Sequence, residues 1–374
     1  MKVACISAFP RGNNYGMLSV DLAFEDFVRL ALGKGAEIRY FNIEEDIHVD
    51  CGRSRKIVYD LLHSPDEQLS EFDAIVIWGD FTTSFEYRLG VNKHLANKLN
   101  LDKEAAADRY YKTLLFENCS ESIMRKTLIV SSNILPNAAG SFDERYRLAV
   151  SRLYAAAAAI IPRDPMSVAM AQIFRRNSEG VSAGIDAAFF LDGGVKSSGE
   201  QRTRIGYSFS RTVGRKSGLI KRMMSRRFCN ALSRKAQLPL YDVAWKTSHG
   251  AAMDFHKKLD EIAACGFIIT DTYHCAINAL RERVPVICVG QGAQHQSTTL
   301  GDKKKEYLFH SFMAQDSYVF TDNSAFMLSC ERVAARTLRF VNDYQYLDRV
   351  FRNIEIGRKN QVNAFRLAID KLLA

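Results

Sequence analysis

Short apolar runs alternate with amphipathic stretches along most of the 374-residue chain. Continuous apolar runs are typical of buried strands, and apolar residues spaced three or four apart are typical of helices that cover a sheet. The predicted strands are 2–8, 37–41, 73–78, 127–131, 159–162, 204–209, 238–243, 265–269, 284–290 and 318–320. The predicted helices are 17–32, 144–158, 165–175, 218–235, 252–264, 324–344 and 350–373, with a further helix between residues 270 and 284. This order of strand and helix predicts parallel sheets covered by helices.

The alternation pauses once, over residues 191–202, where the sequence is rich in Gly, Ser and charge. Such composition is typical of a domain linker. We therefore predict an α/β protein of two Rossmann-type domains, at 1–190 and 203–345, with a cleft between them. The final segment, 346–374, is predicted to form a helix that crosses back over both domains.

Several classes of protein are disfavoured by what the sequence lacks. No apolar run reaches about 18 residues, so no transmembrane helix is expected. The eight cysteines are scattered without a C-x-x-C pair, which favours free thiols in a reducing cytoplasm over disulfides or zinc. The eight histidines show no H-x-E or H-E-x-x-H spacing, so no metal site is expected. The absence of G-x-S-x-G disfavours an α/β-hydrolase.

The formal net charge of +9 is concentrated in residues 199–235. This segment holds eleven Lys and Arg residues, with Glu200 as its one acidic residue. Such a segment is expected to meet something anionic: a phosphorylated ligand, a membrane surface or nucleic acid. Nucleic acid is disfavoured, because aromatic residues are not interleaved with the charges.

The same basic segment contains an apolar stripe at helical spacing. Its members are Leu219, Ile220, Met223, Met224, Phe228 and Leu232. This pattern predicts a core-facing helix with a solvated basic face. The alternative is a basic amphipathic helix that rests on an anionic membrane, which would place the protein at the inner face of the membrane.

Polar clusters follow four of the predicted strands. They are PRGNNYG (10–16), WGDFTTS (78–84), IPRDPMS (161–167) and TDTYH (270–274). The carboxyl ends of parallel strands, where helices begin, are the positions at which α/β folds bind ligands. These four clusters are therefore candidate parts of one site.

The first three clusters each have a functional and a structural interpretation. Asn14 and Tyr15 could hold a ligand at a helix start, or belong to a plain strand-to-helix turn. Asp80 could bind the hydroxyls of an acceptor, or either Asp80 or Ser84 could be the N-cap of a helix. The third cluster contains Arg163, Asp164 and Ser167. The Arg163 guanidinium is suited to bind a phosphate or carboxylate of a ligand. Alternatively, Arg163 and Asp164 form a surface ion pair, or Asp164 caps a helix.

The fourth cluster contains the strongest catalytic candidate, His274. Asp271 and Thr272 precede it, and the basic run 303–305 comes after the next strand and a loop with His295. A histidine held near an acid is suited to proton transfer near neutral pH. The alternative is that His274 is a core residue with satisfied hydrogen bonds and no catalytic role.

Taken in order, these motifs resemble the polysaccharide pyruvyl transferase family over roughly residues 10 to 315. The resemblance rests on these residues: Asn14-Tyr15-Gly16, Arg163-Asp164 with Ser167, Asp186-Ala187-Ala188-Phe189, Thr270 to His274 with Ala279-Leu280 and Val284 to Ile287, and Lys304 or Lys305 ahead of Tyr307-Leu308. The family usually places glycine after the histidine, where Cys275 stands, and many members carry arginine before it, where Tyr273 stands.

The resemblance implies a GT-B-like fold and transfer of a pyruvyl group from phosphoenolpyruvate to two hydroxyls of a sugar. It implies no cofactor beyond this donor substrate. His274 would deliver a proton, with Asp271 orienting it. The donor would lie between Arg163 and Lys304 or Lys305. Further substrate contacts are expected from Asn14, Tyr15, Asp80, Ser167, Thr272 and Tyr273.

The acceptor implied is a sugar of a bacterial surface glycan, or a lipid-linked precursor of it. Two alternatives stay open. A GT-B glycosyltransferase would need a nucleotide-binding carboxylate late in the second half, where Asp302, Glu306 and Asp322 stand in no clear pattern. A non-catalytic glycan-binding protein of the same fold is the other, and Cys275 is the feature that favours it.

Overall fold

The computed structural model describes residues 1–7, 15–51, 55–80, 83–134, 142–192, 203–209, 218–245, 255–291, 300–320 and 330–374. Asn14, His295, Asp322, most of the predicted linker and part of the basic segment lie outside these ranges. The predicted domain boundaries therefore stay predictions.

The first half of the chain forms a seven-stranded sheet. Its strands are β1 (Lys2–Ile6), β2 (Glu37–Asn42), β3 (Ile47–Asp50), β4 (Lys56–Leu61), β5 (Ala74–Trp78), β6 (Thr127–Val130) and β7 (Ala159–Ile161). The spatial order is β3-β4-β2-β1-β5-β6-β7, and every neighbouring pair is parallel except β3 and β4. The helices are α1 (Tyr15–Leu32), α2 (Pro65–Gln68), α3 (Phe85–Leu99), α4 (Lys103–Leu114), α5 (Glu121–Arg125), α6 (Glu144–Ala156) and α7 (Pro165–Arg175).

The second half forms a five-stranded parallel sheet. Its strands are β8 (Arg204–Ser208), β9 (Leu240–Asp242), β10 (Cys265–Thr270), β11 (Val286–Gly290) and β12 (Tyr318–Phe320), in the order β12-β11-β10-β8-β9. The helices are α8 (Gly218–Ala236), α9 (Phe255–Ala263), α10 (Tyr273–Arg281), α11 (Leu300–Ser311), α12 (Cys330–Val341) and α13 (Tyr344–Leu373). The predicted α/β class with two parallel sheets is confirmed.

The central strands are buried on both faces, which explains their continuous apolar sequences. Cys5 and Val76 face the core that α1 covers, whereas Ile6 and Ile77 face a second core on the opposite side of the sheet. Helices on both faces of a parallel sheet require this pattern.

The antiparallel pair β3 and β4 was missed by the sequence prediction, as were the helices α3 and α4. β3 and β4 lie at the edge of the sheet, and their residues alternate between buried and more exposed positions. A search for continuous apolar runs detects strands buried on both faces and passes over such an edge.

One core continues from the first half into the second. Phe27 of α1 packs against Trp78, Phe190 and Phe365, with ring centroids 5.0, 4.8 and 4.8 Å apart. Phe365 belongs to α13, the last helix, which also packs against α12. The C-terminal helix thus contacts elements of both halves.

The basic segment is described over residues 203–209, which contain β8, and from Gly218 onward, as α8. Phe228 and Leu232 of the predicted apolar stripe are buried, whereas Met223, Arg226 and Arg227 are exposed. The described part of α8 is thus a helix with a buried apolar face and a basic exposed face. Among the described helices, none is long and apolar enough to cross a membrane.

Candidate active site

The beginnings of α1 and α10 meet between the two sheets. His274 is the second residue of α10, directly after β10 and the turn that contains Thr272. Gly16, the second residue of α1, lies against it so closely that a Cβ there would be 2.8 Å from His274 Nδ1. A glycine is required at such a close approach.

A second contact joins the same two helices. Asn278 Nδ2 donates to Ser19 Oγ of α1 at 3.1 Å and to the backbone oxygen of His274 at 2.8 Å. Helix α10 is therefore held against α1, in the first half of the chain, by a buried hydrogen bond.

A chain of buried charges lies beside His274. Arg163 Nη1 is 2.6 Å from Asp186 Oδ2, and Arg163 Nη2 is 3.0 Å from Asp80 Oδ2. Lys304 Nζ also binds Asp80, and it donates to the hydroxyl of Tyr87 at 2.8 Å. Arg163, Asp80 and Asp186 come from the first half and Lys304 from the second, so the chain of charges crosses the cleft.

These charged side chains are shielded from water, and they stabilise one another by ion pairing. The side chains of Arg163, Asp80 and Lys304 are each no more than 3% exposed. Burial opposes ionisation of Asp80, yet the positive charges of Arg163 and Lys304 hold its pKa below the ordinary value. Burial likewise opposes the charge of Arg163, but Asp80 and other neighbours raise its pKa well above the ordinary value.

His274 is set between opposing effects. Burial lowers its pKa, and the carboxylates of Asp186 and Asp80 oppose that change without cancelling it. Its Nε2 is 3.9 Å from Asp186 Oδ2. The imidazole is therefore mainly neutral near pH 7, and added negative charge nearby would favour its protonated form.

Tyr273 shapes the wall of the site. The Arg163 guanidinium carbon lies 4.7 Å from the centre of its ring, and the ring is nearly perpendicular to that of His274, 5.1 Å away. A cation over an aromatic face is attracted by the ring quadrupole. Tyr15, by contrast, packs against Trp245 at 5.7 Å and is buried.

The two candidate lysines have different surroundings. Lys304 reaches across the cleft, whereas Lys305 Nζ binds Asp302 at 2.6 Å and the backbone oxygens of Asp271 and Val289 at 3.0 and 2.9 Å. Lys305 thereby ties the ends of β10 and β11 together. Asp271 accepts a hydrogen bond from Thr272 Oγ1 at 3.1 Å, and its role as the orienting carboxylate of His274 stays a prediction.

Ser167 and Asp164 form a helix cap. Asp164 accepts from the backbone nitrogen and the hydroxyl of Ser167, both at 2.8 Å, and the Ser167 hydroxyl accepts from the backbone of Ile134 at 2.9 Å. This network joins the end of β6 to the start of α7. A substrate contact by Ser167 stays a prediction, with the capping alternative present in the structure.

Asp186 and Tyr87 were missed as site residues by the sequence reasoning. Asp186 precedes a short 3-10 turn at Ala187–Phe190 and caps it through Ala188. The one feature of the sequence that pointed to Asp186 was its position in a segment that resembles the family. Tyr87 lies in α3, a helix that the apolar pattern did not predict.

Cys275 points to the core rather than to the cleft. It is fully buried within the apolar core, and burial raises the pKa of its thiol to about 12. A neutral, inert thiol therefore occupies the place where the family usually has glycine. No group of His, Cys, Asp and Glu suited to hold a metal ion occurs within the described ranges.

Two sheets of this topology, with a cleft between them, define a GT-B-like α/β fold. UDP-GlcNAc 2-epimerase from Methanocaldococcus jannaschii is similar at 10% identity, with 92% of this chain and 94% of that chain covered and a TM-score of 0.50. S. aureus MnaA, solved with UDP, is similar at 14% identity, with 94% and 90% covered and a TM-score of 0.50. At these identities the similarity concerns the fold alone.

The family model for polysaccharide pyruvyl transferase matches residues 39–292. This chain belongs to the polysaccharide pyruvyl transferase family. No curated protein matches the sequence.

Proposed function

We propose that this protein transfers the pyruvyl group of phosphoenolpyruvate to two hydroxyls of a sugar in a surface glycan or its precursor. The observation that carries the proposal is the placement of His274 beside Arg163 and Lys304 at the meeting of the two halves. Phosphoenolpyruvate carries a phosphate and a carboxylate, which suit a guanidinium and an ammonium.

The chemistry requires one proton at carbon and one at phosphate. In the first step a sugar hydroxyl forms a bond to C2 of the donor while protonated His274 delivers a proton to the methylene carbon. The proton of that hydroxyl returns to His274. In the second step the neighbouring hydroxyl forms a second bond to C2, the bond from C2 to the phosphate oxygen breaks, and its proton leaves with the phosphate. Both hydroxyl protons are thereby accounted for.

The electrostatics of His274 suit this cycle. The imidazole is mainly neutral in the protein alone, because burial lowers its pKa. The negative charges of a bound donor would favour its protonated form at the moment when an acid is needed. Asp186, which faces Arg163 and His274, would keep both cations oriented.

Thermal unfolding with added phosphoenolpyruvate tests the donor. A rise in Tm that grows with ligand concentration is expected for the wild type. His274→Gln should keep that rise, since it retains Arg163, and should lower phosphate release with methyl glycoside acceptors by roughly 10²–10⁴-fold. Arg163→Lys, which retains the charge between Asp80 and Asp186 but not the planar fork, should show a smaller rise.

The rival functions make different predictions for the same measurement. A rise with UDP and none with phosphoenolpyruvate would favour a glycosyltransferase that uses a nucleotide sugar. Equal turnover of His274→Gln and the wild type would remove His274 from the mechanism. Binding of glycosides without any turnover would favour the glycan-binding alternative.

The cellular setting belongs to the same proposal. A lipid-linked acceptor would bring the protein to the inner face of the membrane, and the exposed basic face of α8 could meet anionic lipids there. Co-sedimentation with anionic vesicles that is lost at high salt is the expected result, and equal binding to neutral vesicles would contradict it.

A further inference from the structure

Among the described residues that follow β5 and β6, the buried oxygen atoms without a hydrogen-bond partner include Asp80 Oδ1, Ser84 Oγ and Asn133 Oδ1, in residues at most 2% exposed. The neighbouring hydroxyls of Thr83 and Ser132 lie close to the hydroxyl of Tyr154. Buried polar groups in proteins are nearly always paired, so each such atom calls for an explanation. Three of them in segments that follow neighbouring strands indicate a place where a ligand supplies the missing partners.

The sheet register brings these residues to the same edge. β5 and β6 are parallel neighbours, with Trp78 opposite Val130. Asp80 follows the end of β5 by two residues, Asn133 follows the end of β6 by three, and Ser84 begins α3. The other carboxylate oxygen of Asp80 is already engaged by Arg163 and Lys304. The unpaired oxygen of Asp80 thus adjoins the chain of charges beside His274, and Ser84 and Asn133 follow at the same edge of the sheet.

Ser84 holds a capping position without capping. It is the N-cap of α3, yet its side chain makes no capping hydrogen bond. The N-cap aspartates of α4, α6 and α7 each accept one from a backbone nitrogen in the first turn. The usual helix-start role therefore does not account for the Ser84 hydroxyl.

The orientation of the Asn133 amide is set by its neighbour. Its Nδ2 lies 2.8 Å from Asp164 Oδ2, which as a carboxylate can only accept. Because that contact must be made by the amide nitrogen, the unpaired atom is the amide oxygen. Asn133 therefore offers a hydrogen-bond acceptor to any ligand.

The chemistry of the unpaired atoms selects the ligand. A carboxylate oxygen and an amide oxygen need donors, and a serine hydroxyl can accept as well. Phosphate and carboxylate groups of an ionised donor substrate offer acceptors only, whereas sugar hydroxyls donate. We propose that Asp80, Ser84 and Asn133 form the subsite that holds the hydroxyl groups of the sugar acceptor. This assignment rests on the proposed function, and it places the reacting hydroxyls beside Arg163 and His274.

Ser84→Ala gives the sharpest test. Saturation-transfer NMR and titration with the methyl glycosides of glucose, galactose and mannose would measure acceptor binding. For the glycoside that the wild type binds, Ser84→Ala should raise Kd about tenfold, on the order expected for one lost hydrogen bond. Its Tm should be equal to or above that of the wild type, because a buried hydroxyl without a partner is removed. The rise in Tm caused by phosphoenolpyruvate should be unchanged.

Ser131→Ala is the matched control. Ser131 is as buried as Ser84, but its hydroxyl donates to Ile185 O at 2.8 Å and accepts from Gln361 at 2.9 Å. Its replacement should lower Tm and leave the glycoside Kd unchanged.

Two results would overturn the subsite: no saturation transfer from the wild-type protein to any of the three glycosides, or an unchanged Kd in Ser84→Ala. The donor measurements are separate. Glycoside binding that is sensitive to Ser84 with no response to phosphoenolpyruvate would contradict the proposed reaction and leave the sugar subsite in place. A response to phosphoenolpyruvate without glycoside binding would contradict the sugar subsite and leave the donor assignment in place.

Discussion

Gly16 is in direct contact with the catalytic candidate, and this contact can be tested by adding one carbon atom. In Gly16→Ala the new Cβ would lie 2.8 Å from His274 Nδ1 and 2.9 Å from its Cβ, closer than real Cβ contacts. The His274 ring must therefore move. We expect turnover to fall more than tenfold, because a displacement of about 1 Å in a reacting group costs on the order of 10²-fold.

Gly90→Ala is the control for that substitution. Gly90 lies in α3, is exposed, and has no atom within 4 Å of the position of an added Cβ. Alanine there should stabilise the helix by about 1 kcal/mol and leave phosphate release unchanged. Equal kinetic losses in both variants would show that the effect of Gly16→Ala does not come through His274.

At the residue scale, the sequence indicated where the candidate side chains lie relative to the strands, but not which other side chains contact them. His274 and Arg163 could be selected because each follows an apolar strand, which is a local pattern. That Asp186 faces both of them depends on contacts over 88 and 23 positions of the chain. No local pattern encodes such distances.

At the scale of elements, one buried polar side chain of the last helix forms hydrogen bonds with segments next to the first sheet. Gln361 of α13 accepts from the backbone nitrogen of Ile185 at 2.7 Å and donates to Ser131 Oγ at 2.9 Å. Gln361→Leu would leave the backbone nitrogen of Ile185 buried without this acceptor, and it would remove one of the two hydrogen bonds of the Ser131 hydroxyl. We expect a loss of about 2–4 kcal/mol in the free energy of unfolding, measured by chemical denaturation.

Asn363→Leu, on an exposed position of the same helix, is the control and should change stability by less than about 0.5 kcal/mol. Because Ile185 precedes Asp186, Gln361→Leu is also expected to weaken the response of Tm to phosphoenolpyruvate. A variant as stable as the wild type would show that the hydrogen bonds of Gln361 do not contribute to holding α13 in place.

The helix α11 illustrates what pattern reasoning leaves undecided about an element. The run 303–305 was identified as basic, with Lys304 and Lys305 as equal candidates. Adjacent residues on a helix point about 100° apart, so only one can face the cleft. The packing of α11 directs Lys304 to Asp80 and Lys305 to the backbone of β10 and β11.

At the scale of the whole molecule, one buried acid couples stability to pH. Asp21 accepts hydrogen bonds from Ser7 at 2.8 Å and Tyr59 at 2.6 Å, and it joins α1 to β1 and β4. Burial raises its pKa from 3.8 to about 7, against the opposing effect of these two hydrogen bonds. The folded state therefore retains a proton that the unfolded chain releases between about pH 4 and 7.

The sign of the effect follows from this linkage. A raised pKa in the folded state gives stability that is present below pH 4 and is lost as the pH rises through about 7. From pH 5 to pH 8 the contribution of Asp21 should fall by up to about 3 kcal/mol. Urea unfolding at both pH values is expected to show a smaller fall for Asp21→Asn than for the wild type. Equal falls in the two proteins would contradict the assignment.

The ordered alternation of strand and helix, and the positions of Asp80, Arg163 and His274 at strand ends, were determined by the sequence itself. A strand that is buried on both faces of a parallel sheet must be apolar along its length, so it can be recognised from a few consecutive residues. The family motif adds the reaction class, because its residues occur in order along the chain.

The tertiary structure alone decided which side chains meet. Lys304 and Asp80 are 224 positions apart, and their pairing across the cleft depends on how two sheets and the helices between them pack. The same packing leaves the oxygens of Ser84 and Asn133 buried without partners. Such contacts are set by the close packing of whole elements, which no short stretch of sequence specifies.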